Sequence, residues 1–122
     1  MDERSLKHFY DAREAARAIL AFTRGKSFED YCSDEMLASA VERKFEIIGE
    51  ALARIRRQRP DDLRVIGDWP AIIGFRNILA HAYERVEEAV VWGIVTKQLP
   101  LFLEQLEAVP GIDSLGDLDV AN

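Results

Sequence analysis

Ten consecutive residues, Gly74-Phe75-Arg76-Asn77-Ile78-Leu79-Ala80-His81-Ala82-Tyr83, place an arginine, an asparagine, a histidine and a tyrosine inside an apolar helical pattern. One of the 2 histidines of the chain is among them. Histidine titrates near neutrality, so it can take or give a proton at physiological pH. Arginine stays charged and presents a planar fork that matches phosphate oxygens. Asparagine can hold an imidazole or a ribose hydroxyl. Together these groups suit phosphoryl chemistry on RNA, where the ribose 2′-hydroxyl is the nucleophile and neither a metal nor another cofactor is required.

The geometry of a helix limits how they combine. Each residue advances about 100°. Asn77 and His81 are four apart and share a face, while Arg76, Ala80 and Tyr83 share the neighbouring stripe. Arg76 and His81 are five apart, roughly 140° around a straight helix. Either the helix distorts near His81, or a twofold dimer sets two such pairs around one groove. The plain alternative is a surface charge, a satisfied polar group and a core-edge aromatic.

Four main helices are expected to position this stretch. The first covers residues 3–24, with Leu6, Phe9, Tyr10, Ala16, Ile19 and Leu20 at helical spacing, Asp2 as cap and Gly25 as terminator. Arg13 interrupts its apolar stripe, and must snorkel or face a partner. His8 reads as a surface or core-edge residue. Ser27-Phe28-Glu29-Asp30 resembles a short capped turn, Tyr31-Cys32-Ser33 a turn, and Ser33 a second cap. Residues 34–58 form the clearest helix, along the seam Leu37, Val41, Phe45, Ile48, Leu52 and Ile55. Gly49 within it costs up to about 1 kcal/mol relative to alanine and points to close approach of another helix. Glu42, Glu46 and Glu50 repeat every four residues, either pairing with neighbouring cations or orienting Arg76. Arg54, Arg56, Arg57 and Arg59 close the helix, as cations favoured at a C-terminus or as a patch for RNA phosphates.

Pro60-Asp61-Asp62 breaks that helix, and residues 61–69 connect it to the next. Asp68-Trp69-Pro70 reads as the entry to a motif helix over 70–83. An acidic turn over 84–88 follows. A last helix covers 87–108, with Val91, Ile94, Val95, Leu101, Phe102, Leu106 and Val109 as its stripe and a kink at Pro100. The expected fold is all-α, an up-down bundle of four main helices with one or two short extra turns. It comprises one domain over 1–110 and an acidic, flexible tail over 111–122.

Composition sets the outer limits. The chain has 122 residues, 48% of them hydrophobic, enough for one cored domain. Its net charge of −6 argues against a general nucleic-acid coat. The charge is uneven: residues 1–60 hold 12 Lys/Arg against 11 Asp/Glu, and residues 61–122 hold 4 against 11. RNA would therefore need a local basic patch. Cys32 is the 1 cysteine, so no intrachain disulfide forms, and no Cys/His set has zinc-ligand spacing. No apolar run reaches the roughly eighteen residues of a membrane span, and the N-terminus does not read as a signal peptide, so a cytoplasmic protein is expected.

Arg76-Asn77 with His81 five residues after the arginine resembles the signature of the HEPN superfamily, and the extension His81-Ala82-Tyr83 is similar to its HepT branch. Glu46-Ile47-Ile48-Gly49-Glu50-Ala51 resembles the second-helix segment of that family. Trp69 to Phe75 resembles its lead-in to the motif. Val91-Trp92-Gly93-Ile94-Val95, followed by Leu99-Pro100, resembles its last helix. The likeness covers about residues 4 to 109. Many relatives carry an acidic residue where this chain has Ala82.

The resemblance implies the toxin of a toxin–antitoxin pair, a metal-independent endoribonuclease working as a homodimer with a composite groove. Arg76 and His81 would be catalytic and Asn77 supporting. Tyr83 would be adenylylated by a partner nucleotidyltransferase of the MntA kind, which shuts the toxin off. The alternative from another class is a non-catalytic dimeric module that binds a nucleotidyltransferase or a nucleotide.

Overall fold

The computed structural model describes residues 1–67 and 88–115. All regular structure among the described residues is helical. Helix α1 spans Glu3–Thr23. The Asp2 carboxylate accepts the Arg4 N–H at 2.7 Å, satisfying a donor that the helix start leaves open. Gly25 follows with φ of 74°, a left-handed conformation that only glycine takes without strain. Phe9, Ala12, Ala16 and Ile19 form the buried stripe. Its alanines let the next long helix lie close.

Helix α2 spans Phe28–Ser33. Ser27 and Asp30 cap each other: the Asp30 N–H donates to Ser27 Oγ at 3.1 Å, and the Ser27 N–H to the Asp30 carboxylate at 2.8 Å. That reciprocal box makes a helix of what the sequence reads as a turn at Tyr31-Cys32-Ser33. Tyr31 is thereby driven into the core. The cap of the following helix is also corrected. Asp34, not Ser33, accepts the Leu37 N–H at 3.0 Å, because the Ser33 hydroxyl donates back to the Asp30 carbonyl.

Helix α3 spans Glu35–Gln58. All six residues of the expected seam are buried, and so is Gly49. Asp2 at the start of α1 stands 4.0 Å from Arg59 just past α3, so the two long helices pack antiparallel. A 3₁₀ turn over Pro60–Val65 then buries Leu63, and Ile66 follows it into the core. The helix expected over 70–83, its lead-in from Asp68 and the acidic turn up to Glu87 lie outside the described residues.

The chain re-enters as α4, Glu88–Gly93, passes through a π-helical turn at Ile94–Gln98, and continues as α5, Leu99–Glu107. The Leu99 N–H reaches the Ile94 carbonyl, one residue further than in an α-helix. Pro100 explains the widening. It has no N–H to give one turn back, and the wider turn keeps its ring clear of that carbonyl. Val91, Val95, Phe102, Leu106 and Val109 are buried as their spacing requires, whereas Leu101 is 63% exposed. Leu99 takes the inward position instead, with Leu101 two residues on and roughly 200° around the axis.

Packing continues past residue 110. Gly111, at φ of 83°, reverses the chain, and residues 112–115 make a last helical turn that buries Ile112. Asp113 accepts a hydrogen bond from Arg13 at 2.7 Å. Of the two readings of Arg13, snorkelling or facing a partner, the structure supports the second, with the partner group on the same chain. Its side chain is 4% exposed, lies against the Tyr10 ring and meets a carboxylate from the same chain. No described helix is long and apolar enough to cross a membrane.

Candidate active site

Arg76, Asn77, His81 and Tyr83 lie outside the described residues, so the structure shows the frame around their segment. At the entry, Ile66 is buried and its N–H closes onto the Leu63 carbonyl. The Gly67 N–H then donates to the side-chain amide oxygen of Gln105 on α5 at 3.3 Å. At the exit, Glu88 opens α4 in the neighbourhood of Cys32. Interaction with the Glu88 carboxylate, followed by desolvation, pushes the Cys32 thiol up to about 11. Cys32 is therefore protonated at neutral pH and unsuited to nucleophilic work. Behind it, Trp92 packs on Tyr31 with ring centroids 5.4 Å apart. Burial, and secondarily the charge of Glu42, keeps the Tyr31 phenol from ionising.

The four arginines named for RNA stand at the end of α3 and just beyond it, all exposed. Glu50 accepts from Arg54 at 3.1 Å and also lies 3.5 Å from Arg57. Arg59 stands 4.0 Å from both Asp2 and Asp62. Arg56 makes no ion pair with a described residue. The cluster is thus a set of partly answered charges, and an incoming phosphate must compete with carboxylates for three of the four. Of the acidic repeat, Glu46 pairs with Arg43 at 3.2 Å and Glu50 with Arg54, the plain reading of that pattern. Glu42 differs, because burial and the neighbouring Glu46 push its carboxyl up.

Beside the arginines a groove of about 490 Å³ runs between α1 and α3. His8, Asp11, Arg43, Glu46, Glu50 and Arg54 line it over an apolar floor of Ile47 and Ala51. His8 is held below its usual pKa, first by burial and then by the Arg54 charge, so a neutral imidazole faces the groove at pH 7. Sequence reading left His8 as an edge residue. Its place in the groove follows from antiparallel packing, which no local pattern around residue 8 encodes. Among the described residues no three His, Cys, Asp or Glu side chains are grouped to hold a metal ion.

The family model for Ribonuclease HepT-like proteins matches residues 12–109, which include the frame and the whole Arg76–Tyr83 stretch. The chain belongs to the HepT-like ribonuclease family. It is 32% identical over 110 residues to "Putative RNase MJ1380" of Methanocaldococcus jannaschii, spanning 89% of this chain and 100% of that protein. It is 37% identical over 93 residues to "Probable ribonuclease HepT" of Thermococcus cleftensis, spanning 74% of this chain and 81% of that one. A third relative, "Putative RNase TTE0752" of Caldanaerobacter subterraneus, is 31% identical over 91 residues, which is 75% of this chain and 80% of that protein. No solved structure matches the chain. A HepT-like all-α scaffold and a ribonuclease activity thus go together in this protein.

Proposed function

We propose that this HepT-like ribonuclease is a toxin that cleaves RNA internally by attack of the ribose 2′-hydroxyl, without a metal, at a groove shared by two copies of the chain. His81 moves protons between the 2′-hydroxyl and the leaving 5′-oxygen. Arg76 meets the negative charge that builds on the phosphoryl oxygens, and Asn77 holds the imidazole or the ribose. Arg54, Arg56, Arg57 and Arg59 supply the local cations that an acidic chain otherwise lacks. Tyr83 is the target of a partner nucleotidyltransferase of the MntA kind. An adenylate there would add bulk and negative charge beside the arginines and so oppose RNA. The observation that carries this reading is the family match across residues 12–109, which runs through Arg76-Asn77 and His81-Ala82-Tyr83.

The test is cleavage of RNA in excess chelator by protein made without any partner, its intact mass free of added adenylate. The wild type should leave cyclic-phosphate ends. His81→Ala should lose about 10²–10⁴-fold in rate, and Arg76→Ala about 10²–10³-fold. An unmodified dimer that cleaves none of a varied RNA set would replace the enzyme with the non-catalytic interaction module.

A further inference from the structure

The groove between α1 and α3 carries a charge order that selects among ligands. Along α3 its wall runs Arg43, Glu46, Glu50, Arg54, over the floor of Ile47 and Ala51. Arg43 to Arg54 covers roughly 16 Å of helix. His8 and Asp11 stand across from them, three apart on α1 and so on one face. The volume of about 490 Å³ suits a small organic group.

An anion inside this groove would meet the carboxylates of Asp11, Glu46 and Glu50, and a cation would be flanked by the arginines. A planar neutral group with acceptors on one edge and donors on another meets both. Nucleobases are such groups, and they differ in the order of those atoms. Guanine offers N7 and O6 as a pair of acceptors, which an arginine fork meets with two hydrogen bonds. Its N1–H and N2 amine are adjacent donors that one carboxylate accepts together. Adenine, cytosine and uracil each turn at least one acceptor toward a carboxylate there.

The walls can serve such a base. Glu46 is paired through Oε2 with Arg43 at 3.2 Å, both side chains partly exposed, so the pair holds little energy. A carboxylate has about four acceptor positions, enough to keep Arg43 and take a base edge. His8 is half-buried, and its neutral imidazole offers a ring face for stacking. Phosphates need not enter. Arg54 lines the groove and also belongs to the arginine cluster with Arg56 and Arg57. A strand with its base in the groove would set its backbone against that cluster.

We infer that the α1–α3 groove is a guanine-selective base site, with Glu46 accepting the N1–H and N2 amine edge and a flanking arginine donating to O6 and N7. The inference deepens the ribonuclease reading by naming a base of its RNA, and a free guanine nucleotide shares the chemistry. The test uses 2′-O-methyl RNA pentamers, uridines around a central guanine or adenine, with guanosine and adenosine 5′-monophosphate titrated beside them. The pentamers lack the nucleophile and stay uncut. A protein that cleaves no RNA would therefore fail the ribonuclease reading without touching this one. NMR shifts of the Ile47 and Ala51 amides locate the site.

The guanine pentamer should bind about tenfold tighter than the adenine pentamer, with shifts at Ile47 and Ala51. Glu46→Gln should reduce that ratio to about twofold or less. The ratio is read because loss of a carboxylate strengthens all RNA binding alike. Arg56→Ala, outside the groove, should weaken both pentamers and keep the ratio. Selectivity in the pentamers supports the site with an RNA strand as its occupant. Selectivity in the monophosphates alone supports the site with a free nucleotide in it. No binding, equal affinity for guanine and adenine in both sets, or a ratio unmoved in Glu46→Gln would overturn the inference. So would binding that leaves Ile47 and Ala51 unshifted, as when a second copy of the chain covers the groove.

Discussion

Helix α3 and the helical run from Glu88 to Glu107 both cross the core, and they obey their sequences differently. In α3 the apolar spacing is uninterrupted, and each seam residue from Leu37 to Ile55 is buried where the period puts it. In the later run Pro100 removes one amide donor, a π-helical turn absorbs the defect, and the inward position passes to Leu99 while Leu101 faces solvent. A periodic pattern alone decides a helix face when every backbone bond can form. When one cannot, the packing on both sides of the defect decides.

Cavity mutants should break this comparison most strongly. Leu52 in α3 and Leu99 after the π-turn are 0% and 2% exposed. Leu52→Ala should lose about 3–5 kcal/mol, and Leu99→Ala about 2–3, because a loosely wound turn can close part of the space left behind. Urea midpoints at constant m-value measure both. Equal losses would mean that the turn is as rigid as α3.

The tail contact sharpens the same point, since it too is a departure from local pattern. Asp113→Asn leaves the guanidinium of Arg13 buried without its carboxylate, and should cost about 1–3 kcal/mol, discounted because Asp113 is itself exposed. Arg13→Met removes the buried charge altogether and should cost less. The reverse order in chemical denaturation would show that the ion pair holds little of the tail in place. A smaller effect is expected at the defect itself. Pro100→Ala should change stability by less than about 1 kcal/mol. The restored donor favours a regular turn, but rewinding would rotate Val91 and Val95 relative to Phe102 and Leu106. NMR of that variant should still show the wide hydrogen bond from Leu99 to Ile94.

The mildest prediction concerns pH. His8 has its folded pKa below the usual 6.5, so the unfolded chain binds the proton more readily. The contribution of His8 to stability is complete above 6.5 and declines as pH falls from there through the folded pKa. His8→Gln should flatten the stability profile in that window and leave it unchanged above pH 7. A profile of the same slope in both proteins would mean that His8 keeps its ordinary pKa.

Much of the frame was legible because its signals are local. Asp2, Gly25, the Ser27/Asp30 box and the α3 seam each act within a few residues, through one cap, one left-handed turn or one period. The candidate chemistry at Arg76, Asn77, His81 and Tyr83 was legible from residue types and spacing, and the family match runs through it. What the sequence could not supply depends on distant groups meeting. Arg13 was open between snorkelling and facing a partner, and the choice could not be read locally, since its carboxylate comes from Asp113 at the far end of the chain. Gln105 gave no signal at all, because an exposed glutamine on an amphipathic helix looks like any other.

By itself, then, the sequence determined an all-α chain, the helix ends set by caps and glycines, and the apolar faces that must meet. Only the tertiary structure decided which arginine is buried, which leucine turns inward beyond Pro100, what faces the groove beside His8, and what holds Gly67. Caps and periods are properties of neighbouring residues and need no fold to be read. Burial, ion pairing and clasps require two segments to arrive at the same place, and that is settled by packing.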